Sequence, residues 1–254
     1  MIIAEIGSNH NGSLKTAVES MRVAIECGAD LVKFQAYITD QFINKKRHPK
    51  HYKVMKQFQF PPSWYYALHL DKVFYTPFSV DMVKFLEEEM PPKYYKIASG
   101  DCVYKPLVQR VAKTGKPTFM SNGGCSPEEV TEAERWFVEA GGTHLTIMEC
   151  TMAYPAKEVF LGEIRNRVMG YSNHVMDVAV PAFAKAMGAC AIEMHFKLHD
   201  MDTPDNGHSF NPEQFKEAVR LIKLAEKCSR LGIHPHDEEL ETMELARRKK
   251  DGLR

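Results

Sequence analysis

The chain has 254 residues, with 33 Lys plus Arg against 33 Asp plus Glu and a formal net charge of zero at pH 7. That balance gives no support to electrostatic capture of nucleic acid or of an anionic membrane surface. Hydrophobic residues make up 44% and charged residues 26%, an ordinary globular composition, and the length matches the roughly 250 residues of a single barrel domain.

Taken in chain order, short apolar runs rich in β-formers recur eight times: Ile2–Gly7, Leu31–Ala36, Val73–Phe78, Tyr94–Gly100, Thr118–Asn122, His144–Glu149, Val168–Asn173 and Ala191–Phe196. Helix-period segments separate them. Ser126-Pro127-Glu128-Glu129 offers an N-cap, a proline at the first helical position and a glutamate at the third, and Asn211-Pro212-Glu213-Gln214 repeats that arrangement. Gly28, Gly115 and Gly141 stand where helices should stop. Eight βα units in this length predict an α/β protein with a closed (β/α)₈ TIM barrel, a single domain over residues 1–254. No G-x-G-x-x-G follows the first strand, which argues against a dinucleotide-binding open sheet.

Two stretches fall outside the repeat. Residues 37–60 after the second strand, basic and aromatic from Gln41 to Phe60, read as a long loop, either solvated or a lid over a phosphate-bearing substrate. Residues 237–249 read as an extra C-terminal helix, amphipathic or simply charged. The six cysteines form no C-x-x-C pair, so neither a disulfide framework nor a zinc ribbon is expected, and a reducing, cytoplasmic setting fits them. The N-terminus is interrupted by Glu5 too early for a signal peptide, and no run of about 18 apolar residues is present to span a membrane.

Barrel enzymes carry their chemistry at the C-terminal ends of the strands, and the polar residues collect there. Glu5 ends the first strand, the second carries Lys33 and Gln35, and the third ends in Thr76-Pro77-Phe78. The fourth carries Lys96 and runs into Ser99-Gly100-Asp101, the fifth reaches Ser121, and the sixth leads towards Tyr154. The seventh delivers Ser172 and His174, and the eighth Glu193 and His195. A lysine inside an apolar strand needs an anionic partner. Lys33 and Lys96 could find one in Glu5 or Glu193 as internal ion pairs, or could hold the carboxylate and phosphate of a substrate, with the serines as donors. Either histidine alone would be unremarked in a core. On adjacent strand ends, His174 and His195 point to a metal site, whose mixed nitrogen and oxygen ligation favours Mn²⁺, Fe²⁺, Co²⁺ or Zn²⁺ over an all-oxygen Mg²⁺ or Ca²⁺ cage. His10 and His208 read as rim residues.

Six ordered blocks carry a resemblance: Ile3-Ala4-Glu5-Ile6-Gly7, Asn9-His10-Asn11-Gly12, Gly28-Ala29-Asp30-Leu31-Val32-Lys33-Phe34-Gln35, Lys96-Ile97-Ala98-Ser99-Gly100-Asp101, Gly170-Tyr171-Ser172-Asn173-His174 and Ile192-Glu193-Met194-His195-Phe196. From residue 2 to about residue 225 the chain resembles the N-acetylneuraminate (sialic acid) synthase family. The resemblance implies condensation of phosphoenolpyruvate with an N-acylated amino-sugar aldehyde, giving a sialic-acid-like sugar acid and phosphate. It places a divalent metal, Mn²⁺ first with Mg²⁺, Co²⁺ or Zn²⁺ as alternatives, on His174 and His195. It places phosphoenolpyruvate among Lys33, Thr76, Lys96, Ser99, Ser121 and Ser172, and the sugar against Gln35, Phe78, Tyr154 and Asp205. Glu5, Asp101 and Glu193 take the catalytic and water-positioning roles, Asp101 where the family usually has Glu.

The chain also departs from the family's pattern. It reaches Arg254 without the family's C-terminal antifreeze-like domain, the segment Lys197–Ser209 lacks the usual Arg and is about one residue short, and Met152 stands where a small polar residue is usual. A homodimer and a separate capping subunit are both left open as partners. Two other readings stay beside the synthase: a metal-dependent sugar aldolase or isomerase, and a catalytically impaired barrel serving as a scaffold.

Overall fold

A computed structural model describes residues 1–157, 169–230 and 239–248. Eight parallel strands close into one barrel in sequence order, β1 (Ile2–Glu5), β2 (Leu31–Ala36), β3 (Val73–Pro77), β4 (Tyr95–Ile97), β5 (Thr118–Ser121), β6 (Leu145–Cys150), β7 (Gly170–Asn173) and β8 (Ile192–His195), with β8 pairing back onto β1. The α/β barrel expected from the eight apolar runs is therefore the fold. Val168, the expected first residue of the seventh strand, lies outside the described residues.

The described helices are α1 (Leu14–Glu26), α2 (Thr39–Phe42), α3 (Pro49–Phe58), α4 (Pro62–Ala67), α5 (Val80–Glu89), α6 (Lys105–Ala112), α7 (Pro127–Glu139), α8 (Val180–Ala186), α9 (Pro212–Arg230) and α10 (Leu240–Ala246). The two sequence-marked helix starts form as expected. Ser126 Oγ accepts from Glu129 N while the Glu129 carboxylate accepts from Ser126 N, and Asn211 and Gln214 make the same reciprocal pair. The C-terminal helix spans Leu240–Ala246, with residues 237, 238 and 249 of the expected range outside the description. Among the described residues, no helix is long and apolar enough to cross a membrane.

Residues 37–60 correct the expectation of a long loop. They form α2 and α3 and lead directly into α4. The helical signal was masked: Lys50, Lys53 and Lys56 interleave with the row Tyr52, Met55 and Phe58, and only Met55 and Phe58 are buried. His10, expected at the rim, is buried under this region. Phe60 packs edge-on against its ring at 4.8 Å between centroids, with Phe58 and Trp64 within 6.0 Å. Its Nδ1 accepts from Gly12 N at 3.1 Å, and burial lowers its pKa to about 4.

Strand alternation sorts the interior into layers. Ile3, Leu31, Phe74, Phe119, Met148 and Ala191 form an apolar plug inside the barrel. Two residues further along their strands come Glu5, Lys33, Thr76, Ser121, Cys150 and Glu193, one polar step above the plug. Intervening residues such as Ala4, Val32, Tyr75, Ile97, Met120 and Met194 face the other way into the barrel–helix core.

Candidate active site

The polar layer opens into a cavity of about 600 Å³, a volume suited to small-molecule substrates. All fifteen residues singled out from the sequence line it: Glu5, Lys33, Gln35, Thr76, Phe78, Lys96, Ser99, Asp101, Ser121, Tyr154, Ser172, His174, Glu193, His195 and Asp205. Phe42, His51 and Met55 from the α2–α3 region join them, as do Cys150, Met152, Pro204 and His208.

Strand register builds the floor. Glu5 is the register partner of Lys33, and Ser172 that of Glu193. Lys33 pairs with the Glu5 carboxylate, donates to Thr76 Oγ1 at 2.8 Å and lies 3.7 Å from Glu193 Oε1. Lys96 reaches the same Glu193 at 3.3 Å, and Ser172 Oγ donates to it at 3.2 Å. Both lysines thus have the internal carboxylate partners that their burial demands. Burial pushes Glu193 up, but Lys33 and Lys96 more than offset it and hold its pKa below the usual carboxylate value. Burial pushes Glu5 up to about 7, with Lys33 only partly opposing. Lys33 is lowered by burial but raised more by Glu193 and Glu5, whereas burial dominates at Lys96 and lowers it. Two ammonium groups in a low-dielectric pocket, one carboxylate between them and one near neutrality, form a floor that can exchange internal partners for a bound anion.

Donors surround that floor. Ser99 Oγ accepts from Gly123 N at 3.1 Å, leaving its own proton to donate, and the buried Ser121 hydroxyl has no partner among the described residues. Asp101 follows Ser99 in a 3₁₀ turn at the end of β4, and burial raises its pKa to about 6.

Imidazoles crowd one side of the mouth. The His174 and His195 rings lie 5.2 Å apart between centroids, and His208 lies 4.4 Å from His195 and 5.8 Å from His174. His174 Nδ1 sits 2.8 Å from Thr151 O, which makes Nδ1 the protonated nitrogen and leaves Nε2 as a lone-pair donor, the arrangement that metal-ligating histidines take. Burial lowers the His174 pKa to about 4 and holds His195 well below its ordinary value, so both rings are neutral at pH 7. His195 Nδ1 and His208 Nε2 are buried without hydrogen-bond partners among the described residues, and each faces Asp205 Oδ1, at 3.7 and 3.2 Å. Buried nitrogen donors beside a carboxylate fit a divalent ion.

Asp205 is anchored from the far end of the sequence. Its Oδ2 accepts from both Ser8 N and Ser8 Oγ at 2.6 Å. Burial raises its pKa, but His208, His195 and the Ser8 hydroxyl outweigh burial and hold it well below the usual range. Gly7, at φ +52°, makes room for this contact, since a Cβ there would come within 2.8 Å of Asp205 Cγ. The segment Lys197–Ser209 is further stitched to the β1 end by Asn9, which donates to Ser209 Oγ and Phe196 O and accepts from Thr203 Oγ1.

The outer wall is apolar and less buried. Phe42 and Phe78 pack at 4.3 Å between centroids, and Tyr154 leans over His174 at 4.3 Å and His208 at 4.9 Å while remaining 54% exposed. Sequence reasoning undervalued His208. Its signal was the Asp205-x-x-His208 spacing on a 3₁₀ turn, which brings both side chains to one point.

The NeuB family model matches residues 20–233 of this chain. An N,N'-diacetyllegionaminic acid synthase of Legionella pneumophila is 32% identical over 97% of this chain and 78% of its own length. A human N-acetylneuraminate-9-phosphate synthase is 30% identical over 89% of this chain and 70% of its own. Among solved structures, an N-acetylneuraminic acid synthetase of Leptospira borgpetersenii superposes with a TM-score of 0.87 at 27% identity, covering 98% of this chain and 92% of that one.

Proposed function

The chain belongs to the NeuB family and is a carbon–carbon bond-forming synthase, and from that premise we propose that it condenses phosphoenolpyruvate with an N-acylated amino-sugar aldehyde, of the N-acetylmannosamine kind, to give a sialic-acid-like nonulosonic acid and phosphate. The observation that carries this reading is one cavity in which two buried lysines and a set of hydroxyls lie below a cluster of buried imidazoles.

In this account Lys33 and Lys96, with Thr76, Ser99, Ser121 and Ser172, hold the carboxylate and phosphate of phosphoenolpyruvate, and their fixed positions avoid reorganisation as charge moves. Gln35, Phe78, Tyr154 and Asp205 orient the acceptor above them, so that C3 of phosphoenolpyruvate faces the aldehyde carbon. His174 and His195 would hold a divalent ion, Mn²⁺ in the first instance, which supplies Lewis-acid polarisation of an aldehyde oxygen. As the C2–C3 π pair of phosphoenolpyruvate forms the new bond, the aldehyde C=O π pair moves onto its oxygen, which takes up a proton to become a hydroxyl, and positive charge develops at C2. A water directed by Asp101, with Glu5 and Glu193 near the same floor, adds to C2 and gives up its proton to a carboxylate. Collapse of that adduct expels phosphate with the former bridging oxygen and leaves a ketone at C2.

Incubation with phosphoenolpyruvate, Mn²⁺ and a panel of amino-sugar aldehydes tests the reading by following phosphate. It predicts release that requires both an acceptor and a divalent ion and that falls sharply in His174→Ala and His195→Ala. Release without any acceptor, or undiminished by chelation, contradicts it.

A further inference from the structure

The imidazole cluster has three members, and the reading above uses two. His208 is buried on the turn Asn206–His208, and its Nε2 points at Asp205 Oδ1 across 3.2 Å without hydrogen-bond geometry. His195 Nδ1 is likewise buried and unpartnered among the described residues, 3.7 Å from the same carboxylate oxygen. One donor atom each from His195, Asp205 and His208 can be chosen so that all lie within 4.8 Å of one another. Ligands at about 2.1 Å from a common ion stand roughly 3 to 4 Å apart, so closing the widest of these separations by about 1 to 2 Å would bring the three to bonding distance. A solely structural role accounts less well for the arrangement. A core histidine ordinarily spends its ring nitrogens on hydrogen bonds, as His10 does at Gly12 N, whereas His195 and His208 converge on one oxygen with neither bonded to it.

We propose that His208 is a third metal-ligating imidazole, which with Asp205 and the histidines at the ends of β7 and β8 makes a nitrogen-rich divalent-cation site. This rests on the metal-dependent reading of the preceding section and deepens it. Asp205 is suited to the part because Ser8 fixes its Oδ2 through two hydrogen bonds and leaves Oδ1 facing the rings. His208 comes from the segment between β8 and α9, and Asp205 ties that segment to the end of β1. The ion would therefore cross-link three neighbouring strand ends as well as activate an acceptor. Three imidazole nitrogens and one carboxylate raise the preference for Co²⁺ and Zn²⁺ over Mn²⁺ and Mg²⁺ beyond what two imidazoles give.

The test is metal binding to the whole chain, with no substrate present. Metal-free protein is titrated with Co²⁺, following its visible absorption, and Zn²⁺ and Mn²⁺ affinities are measured by chelator competition. His208→Ala should weaken Co²⁺ and Zn²⁺ binding by about 100-fold or more, weaken Mn²⁺ binding less, and change the Co²⁺ band. Exposed His199, on the same segment, is the control, and His199→Ala should leave all three affinities unchanged. If His208→Ala melts in the metal-free state, His208→Gln, which keeps a polar end, carries the same expectation. Unaltered Co²⁺ affinity and spectrum in the His208 variants, with loss in His174→Ala and His195→Ala, would overturn this inference and leave the two-histidine reading standing. Failure of the unmodified chain to take up any divalent ion overturns both.

Discussion

The floor and the rim of the cavity are built differently. The floor residues Glu5, Lys33, Thr76, Lys96, Ser121, Ser172 and Glu193 are all buried and sit on or at the ends of barrel strands, where ladder register determines their neighbours. The rim residues come from outside the strands, Phe42 and His51 from α2 and α3 and Met152, Tyr154, Pro204, Asp205 and His208 from the segments that follow β6 and β8, and Met152 and Tyr154 are 47% and 54% exposed. A buried ion cluster on strands can hardly shift without breaking the barrel, whereas a connection can change one contact at a time. The difference suits a fixed reagent site below and a selectable acceptor site above.

Removing a floor charge should have the largest effect. Lys96→Met leaves Glu193 with Lys33 as its remaining lysine partner beside the Ser172 hydroxyl, and is expected to lower kcat/KM for phosphate release by about 10³-fold and to destabilise the fold by about 3 kcal/mol. Steady-state kinetics and denaturant midpoints read the two effects separately. A loss of activity under about tenfold would remove the floor's claim to be an anion cradle.

At the junction of floor and rim, Gly7→Ala introduces a Cβ against the Asp205 carboxylate at a positive φ. We expect a fall in turnover of about 10²-fold through misplacement of Asp205, while phosphoenolpyruvate binding, measured calorimetrically, stays near its original value. Weakened phosphoenolpyruvate binding of the same size would mean that floor and rim are not separable.

Asp101 gives a pH test. Burial raises its pKa to about 6, and the proposed chemistry needs its carboxylate, so activity should fall as pH drops below about 6, by about tenfold per pH unit at the limit. Asp101→Asn should remove that limb along with most of the rate. The stability sign is opposite. Between the unfolded value near 3.8 and about 6 the folded state binds the extra proton, so Asp101 contributes a loss of stability as pH rises through that window. The asparagine variant should lack that contribution in urea titrations.

The smallest effect is expected at the rim. Met152→Ser changes a half-exposed side chain and should alter stability by no more than about 0.5 kcal/mol. It should shift the acceptor KM several-fold with the phosphoenolpyruvate KM unchanged, and a change in the latter would place Met152 in the floor's business.

The same contrast explains what could be read from the amino-acid order. A lysine or glutamate breaking an apolar strand is visible because strand alternation is strict, and Lys33, Lys96, Glu5 and Glu193 stood out for that reason. Glu5 and Lys33 meet as register partners on adjacent strands, whereas Glu193 on β8 reaches Lys33 on β2 and Lys96 on β4 across the barrel interior, a meeting that only closure of the sheet brings about. His208 was less legible: its partner His195 lies thirteen positions earlier, and an Asp-x-x-His spacing is common in turns. In residues 37–60 the lysines interrupting Tyr52, Met55 and Phe58 concealed a helix, and that helix supplies Phe58 to the aromatic shell around His10, with Phe60 and Trp64 following it in the chain. Connections take their shape from contacts that are remote in sequence, such as Ser8 with Asp205, and local pattern carries little trace of them.

Oxygen tracing tests the central claim most directly. Phosphoenolpyruvate labelled with ¹⁸O in the bridge between C2 and phosphorus is turned over with an acceptor, and both products are analysed by mass spectrometry. If water adds at C2 and phosphate leaves by C–O cleavage, the label appears in inorganic phosphate, and the C2 oxygen of the sugar acid comes from solvent. Label kept in the organic product, with unlabelled phosphate, would mean that the P–O bond breaks and would contradict the chemistry assigned to this floor.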